Sequence, residues 1–353
     1  MTTKIAINGF GRVGRNALKI ALLRDDLEIV AINDVSDAAT LAHLLKYDST
    51  YGAYDGEIKV DAENLIVSGH SIKVLSQTDP ALLPWGDLGV EVVVESSGLF
   101  TDGHKARAHI DQAGAKKVVI SAPSATDSVS TIIMGVNEDH LPASFDIISA
   151  GSCTTNCATL VLDIINQNLG IDKAMMTAVH SYTNSQRLLD APAKNLREAR
   201  AAPENIVPSS TGASISVTRV LPGLIGNFEA FSVRVPSSIV SLADFVIKVN
   251  KATSKDAINE IFKKAAADAY YQGILSVSEA ELVSKDFLGN SHSAIVDLSL
   301  TDVIGDNLVK IVAWYDNEWG YSNRLVEVVA DVGKILHSQG ENQLAQPEET
   351  HIS

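Results

Sequence analysis

The sequence predicts an α/β protein: a doubly wound parallel sheet in the first half and an α+β domain with a mostly antiparallel or mixed sheet in the second. Three observations carry this. Short β-branched runs alternate with helix-patterned segments up to Ile120. A long polar stretch without periodicity, residues 181–208, breaks that rhythm. Beyond it the apolar runs are longer, and 353 residues are ample for two domains.

In chain order, residues 5–8 read as a buried strand, 15–23 as an amphipathic helix and 27–32 as a second strand. The runs at 90–94 and 117–120 are short and bounded by turn residues. Strand–helix–strand alternation is the pattern of parallel βαβ units. Such strands are apolar on both sides because helices cover both faces of the sheet. Residues 157–167 pattern as a helix, and 181–208 as a long loop of the kind that often carries function. Strands are expected at 231–235, 243–249, 293–298 and 308–314, with a helix at 255–269 and a C-terminal helix at 324–337. The last stretch, 338–353, is polar and Gln/Glu-rich, and is expected to be disordered.

Composition limits the function classes. Apolar residues make up 46% and charged residues 20%, with a net charge of -15. That acidity argues against a general nucleic-acid binder, which needs a basic footprint. Cys153 and Cys157 are the two cysteines, in Cys-Thr-Thr-Asn-Cys. Two thiols make no disulfide framework in a chain of this length, and their spacing is neither a zinc pair nor a Cys-x-x-Cys motif, so no metal is expected. The N-terminus shows no signal-peptide pattern and no apolar run is long enough for a bilayer, so the expected compartment is the cytoplasm, with no membrane partner.

Gly9-Phe10-Gly11-Arg12-Val13-Gly14 is a Gly-x-Gly-x-x-Gly set between a strand and a helix. That placement suits a Rossmann-type dinucleotide fold: the glycines allow the tight turn, close approach of a pyrophosphate and tight helix–strand packing. Asp34 follows Gly14 by twenty residues, at the end of the second strand. A carboxylate there bonds a ribose 2′-hydroxyl and repels a 2′-phosphate, which predicts NAD rather than NADP.

Cys153 enters a helix-patterned segment, where the field of a helix N-terminus favours thiolate. A free cysteine is as readily a small buried hydrophobe. That is the preferred reading of Cys157, and the residues alone leave both readings open for Cys153. His180 ends an apolar run, where it could serve a thiol as base or merely cap the strand. Arg234 stands in an apolar strand and wants a carboxylate or an anion. Asn317 could be a functional amide or a satisfied turn residue.

At these residues the chain resembles the glyceraldehyde-3-phosphate dehydrogenase family. The matching segments are residues 6–15, 44–50, 152–157, 180–183 and 314–321, in family order, over about residues 3 to 337. The resemblance implies a homotetramer that oxidises D-glyceraldehyde 3-phosphate with NAD and inorganic phosphate to 1,3-bisphosphoglycerate. It implies an NAD-binding domain at 1–152, a catalytic domain at 153–318, and a helix at 319–337 returning to the first domain. Cys153 would form the hemithioacetal and His180 would act as base. Asn317 would hold the nicotinamide carboxamide, with Ser97, Ser121 and Tyr321 also at the cofactor. Thr183 and Arg234 would bind the substrate phosphate; Ser152, Thr154, Thr211 and Gly212 would bind the attacking phosphate.

Some positions leave the family pattern. Ala150-Gly151 precede Ser152 where an asparagine is usual, and Ala193, Asn195 and Glu198 interrupt the polar loop. Glu198 stands where the family has an arginine serving the attacking phosphate. Thr78 replaces an arginine near the adenine, and residues 237–239 are Ser-Ser-Ile. Two other readings therefore stay open: a related aldehyde-phosphate dehydrogenase, acting on erythrose 4-phosphate or with impaired phosphorolysis, and an NAD-binding regulatory subunit.

Overall fold

The computed structural model describes residues 1–141 and 144–344. The first half is a Rossmann-type sheet. Its strands are β1 (Thr3–Asn8), β2 (Leu27–Asn33), β3 (Ile58–Asp61), β4 (Asn64–Val67), β5 (His70–Leu75), β6 (Val92–Glu95), β7 (Lys117–Ile120) and β8 (Ile147–Ser149). They lie in the order β8-β7-β6-β1-β2-β5-β4-β3. From β8 to β5 all neighbours are parallel; β3 and β4 add an antiparallel margin. The expected fold class holds. The order reverses at the β1/β6 pair, where the C-terminal ends of parallel strands open a crevice for ligands.

Helix α1 (Arg12–Ala21) begins inside the glycine motif, and α2 is Ala38–Lys46. The two outer glycines of the motif are sterically required. A side chain on Gly9, at φ +93°, would strike the Ser97 backbone, and one on Gly14 would strike the Gly9 carbonyl. Gly11 faces open space.

Helix α3 (Cys153–Leu169) crosses to the second domain. It starts at Cys153, earlier than the residue-157 start expected. The reason is local: Ser152 caps the helix, its hydroxyl accepting from Thr155 N at 3.0 Å. The second sheet comprises β9 (Ile171–Ser181), β10 (Val207–Ser209), β11 (Phe228–Val235), β12 (Ser241–Val249), β13 (Leu275–Ser278), β14 (Ala294–Asp297), β15 (Asp302–Ile304) and β16 (Leu308–Tyr315). Its order is β10-β11-β9-β12-β16-β14-β13, with β15 beside β16. The sheet is mixed: β9 runs parallel to β11 and antiparallel to β12. Helices α3, α4 (Ala213–Val220) and α5 (Lys255–Ala267) cover one face, packing Leu160, Ile164, Val217 and Phe262 against Met176, Phe245 and Ile311. On the other face Met175, Phe231 and Val246 are exposed.

Helix α6 (Trp319–Leu344) returns to the first domain and buries Leu325, Val328, Val329 and Val332 in its core. It extends past residue 337, so residues 338–344, expected to be disordered, are helical. Glu and Gln are good helix formers, and an established helix propagates through them at little cost. The rest of that expectation, 345–353, lies outside the described residues.

Candidate active site

The two domains meet at a cleft of about 1030 Å³. It is lined by Gly11, Arg12 and Val13 from the glycine motif, by Ser96 and Ser97 after β6, by Cys153 and His180, and by Thr183, Arg234 and Asn317. Topology brings these distant residues together. Cys153 is the first residue of α3, after β8; His180 and Arg234 are register partners on the parallel strands β9 and β11.

Cys153 is half-buried, and its Sγ lies 3.5 Å from His180 Nε2. Burial pushes the thiol pKa up, while the Thr154 hydroxyl and the charge of Arg234 pull it down. Burial and then Arg234 push the His180 imidazole down to about 3. Burial thus opposes charge on each partner alone, so a proton passing from Sγ to Nε2 creates both charges together, as a pair. Cys157, one turn along, is fully buried; burial holds its thiol well above the usual range, as expected of a packing residue.

Two groups compete for His180 Nδ1. The Ser181 carbonyl, 2.7 Å away, can only accept; Arg234 Nη1, 2.6 Å away, can only donate. With Ser181 as partner, Nδ1 carries the proton and the Nε2 lone pair faces the thiol. With Arg234 as partner, the Nδ1 lone pair is taken up by the guanidinium, Nε2 carries the ring proton, and no lone pair faces the thiol.

Asn317 is held by a directional chain. Ser181 N–H donates to Ser241 Oγ at 3.1 Å, and that hydroxyl donates to Asn317 Oδ1 at 3.0 Å. The carboxamide NH2 is left for the cleft. Arg12, by contrast, is committed: its guanidinium bonds Asp48 at 2.7 Å and Glu318. Arg187 donates to the Pro192 carbonyl. Arg234 has no carboxylate partner among the described residues, and it leaves the cleft locally attractive to an anion despite the acidic chain.

Other expected residues stand off the cleft lining. Phe10 N donates to Asp34 Oδ2 at 2.9 Å and Ser36 N to Asp34 Oδ1 at 3.0 Å, so Asp34 anchors the motif and keeps lone pairs for a ribose hydroxyl. Tyr321 is buried, and its hydroxyl donates to the Gly151 carbonyl at 3.0 Å, tying α6 to the turn before Cys153. The Ser121 amide pairs with Glu95 O beneath the crevice. Ser152 caps α3, Thr154 Oγ1 lies 3.0 Å from Tyr315 OH, and Thr211 Oγ1 accepts from Ala213 N at 3.1 Å beside Gly212. Ser209, just before that segment, donates to Glu198 Oε1 at 2.6 Å. Sequence reasoning missed Ser49, Thr50, Gln186, Arg187 and Ser238, which also line the cleft. Ser49 and Thr50 fall in a matched segment and Ser238 in a departure from the family pattern, but nothing in the residues themselves assigned any of the five to the cleft.

Comparison with known proteins agrees with this geometry. Residues 3–103 match the family model of the glyceraldehyde 3-phosphate dehydrogenase NAD binding domain, and residues 152–317 that of the C-terminal domain. The chain is 49% identical over 338 residues to glyceraldehyde-3-phosphate dehydrogenase 1 of Streptomyces avermitilis, covering 95% of this chain and 100% of that protein. It is 49% identical over 335 residues to glyceraldehyde-3-phosphate dehydrogenase 1 of Bacillus subtilis, covering 95% and 99%. It is 50% identical over 329 residues to the Priestia megaterium glyceraldehyde-3-phosphate dehydrogenase, covering 93% and 97%.

Proposed function

The chain belongs to the glyceraldehyde-3-phosphate dehydrogenase family and oxidises glyceraldehyde 3-phosphate with NAD, and we propose that it does so through a thioester on Cys153 that inorganic phosphate releases as 1,3-bisphosphoglycerate. The observation that carries the mechanism is the 3.5 Å approach of Cys153 Sγ to His180 Nε2 in the cleft that also holds the glycine motif.

The residues fit the dinucleotide. Gly11 leaves open space at the start of α1, and Asp34 offers its carboxylate at the end of β2. When bound, the nicotinamide supplies the hydride acceptor. Thr183 and Arg234 take the substrate phosphate at one end of the cleft, which orients the aldehyde carbon toward Sγ. Arg234 turned to that phosphate leaves His180 Nδ1 to the Ser181 carbonyl. Nε2 then accepts the thiol proton as sulfur adds to the aldehyde, returns it to the aldehyde oxygen to give the hemithioacetal hydroxyl, and takes it back as the carbon is oxidised. A phosphate oxygen attacks the resulting thioester and the Cys153 thiolate leaves. Ser152, Thr154, Thr211 and Gly212 are the proposed donors to that second phosphate.

One observation favours a weakened second phosphate site. The Glu198 carboxylate is bonded to Ser209, two residues before Thr211. A negative charge there opposes an incoming phosphate dianion.

The exposed apolar side chains of Met175, Phe231 and Val246, adjacent on β9, β11 and β12, support assembly as a homotetramer. No described helix is long and apolar enough to cross a membrane, in keeping with a proposed cytoplasmic location. The test is NADH formation from glyceraldehyde 3-phosphate with and without phosphate, beside Cys153→Ser. A phosphate-dependent rate that the variant lacks is expected; a rate in the variant equal to the wild type rejects the mechanism.

A further inference from the structure

A second buried cluster lies behind the cleft wall, and the reaction described above does not use it. Glu95 closes β6, and its side chain is 1% exposed. Its Oε1 accepts from Ser97 N at 2.9 Å and Ser97 Oγ at 2.5 Å; its Oε2 lies 2.5 Å from Asn8 Nδ2 and 3.0 Å from His109 Nε2.

The direction of every bond in this cluster is fixed by two groups that can only donate. At one end the Gln77 backbone N–H donates to Asn33 Oδ1 at 2.8 Å. Asn33 Nδ2 must then face Asn8 Oδ1, at 2.7 Å, and Asn8 Nδ2 must face Glu95. At the other end the Trp85 indole N–H donates to His109 Nδ1 at 3.0 Å. His109 therefore carries its proton on Nε2, is neutral, and donates to Glu95. Donors converge on Glu95 from both sides and from Ser97, so it is an anion. Among the described residues it has no lysine or arginine partner. Four donors spread its charge but do not cancel it.

The position of this anion matters. Asn8 and Glu95 are register partners at the ends of β1 and β6, the switch point of the sheet. Asp34 takes the ribose on the β2 side of that point. The other half of the dinucleotide must then extend over the end of β6 toward Cys153, where the hydride originates. Ser97, held by Glu95, lines the cleft with Cys153.

We propose that Glu95 sets the preference of this site for the oxidised over the reduced cofactor. The oxidised nicotinamide is a cation and the reduced one is neutral, so an uncompensated buried anion under that half of the crevice binds the oxidised form more tightly. The inference rests on the dinucleotide reading of the glycine motif.

The test is direct titration of the cofactor-free protein with NAD+ and with NADH, by calorimetry, for wild type, Glu95→Gln and Glu95→Asp. Glu95→Gln removes the charge, at the cost of turning an amide NH2 toward two of the four donors: the ratio Kd(NADH)/Kd(NAD+) should fall by roughly threefold or more, the scale of one charge acting at a high effective dielectric. Glu95→Asp keeps the charge and shortens the reach: both Kd values should rise with their ratio unchanged. A Glu95→Gln ratio equal to the wild type, or an Asp ratio shifted as far as the Gln ratio, overturns the proposal. If Glu95→Gln does not fold, the wild type decides. A buried charge is little screened, so its ratio should hold as ionic strength rises to about 1 M. A ratio that collapses with salt assigns the preference to surface charge and overturns the proposal. Failure of the dinucleotide reading itself is distinct, because the wild type would then titrate with neither form.

Discussion

On the dinucleotide side of the cleft, ligand-facing groups are held by steric necessity. Gly9 and Gly14 have backbone atoms where a side chain would go, Asp34 is bonded to the Phe10 amide, and a closed chain of hydrogen bonds runs from Trp85 to Gln77 beneath. On the phosphate side, the loop between β9 and β10 is tied mainly to itself. Arg200 pairs with Asp190, Arg187 with Pro192 O, and Ala191 N with Ala199 O. Its leucines 188, 189 and 196 are exposed. The lesson is that a change at the glycines of the first side disturbs the fold, whereas a change on the second can alter chemistry alone. Glu198 is a change of the second kind.

Substitutions can break or sharpen this contrast. The largest effect belongs to the reacting pair where the two sides meet: His180→Asn should lower kcat by about 10² to 10⁴ with NAD affinity intact, read by steady-state kinetics and cofactor titration. Next, Gly9→Ala should destabilise the protein by about 1–3 kcal/mol, because it adds a clash at a positive φ, and should abolish cofactor binding; denaturant unfolding and calorimetry measure the two losses. An unaffected stability would remove the steric argument. Asp34→Ser should narrow the NAD-over-NADP discrimination by roughly tenfold, since one charge-assisted bond and one repulsion are lost together. The smallest effect is expected on the loop. Glu198→Arg should lower the KM for phosphate by roughly two- to fivefold with little movement of the melting temperature, because the half-buried Glu198 has one hydrogen bond, to Ser209, and no ion pair among the described residues. A large drop in stability there would end the contrast.

The sequence made the first half of the fold legible because its strands are local apolar runs and the glycine motif marks one strand–helix junction. Residues 117–120 were placed as a strand from their β-branched composition alone, and β7 has those bounds. Helix starts were read late: α1 begins at Arg12 and α3 at Cys153, since glycine and Thr-Thr-Asn mask helical periodicity while a serine cap supplies the missing stability. Leu344 ends α6 later than expected, because polarity predicts exposure better than it predicts disorder.

The site was legible residue by residue but not as an arrangement. Nothing local in the sequence says that His180 and Arg234 are register partners, or that their side chains compete over one ring nitrogen. Glu95 was overlooked although it ends an apolar strand as Asp34 does. A lone carboxylate after three valines is a signal, but its meaning lies in Asn8, His109 and Ser97, which only the fold brings to it.

The central claim, that Cys153 captures the aldehyde and carries the acyl group, is tested most directly by mixing the NAD-loaded protein with glyceraldehyde 3-phosphate in the absence of inorganic phosphate. Rapid-mixing absorbance should show a burst of NADH equal to the number of active sites, and peptide mass spectrometry after acid quench should place the acyl group on Cys153. A burst of the same size from Cys153→Ser, or an acyl group on another residue, would contradict it.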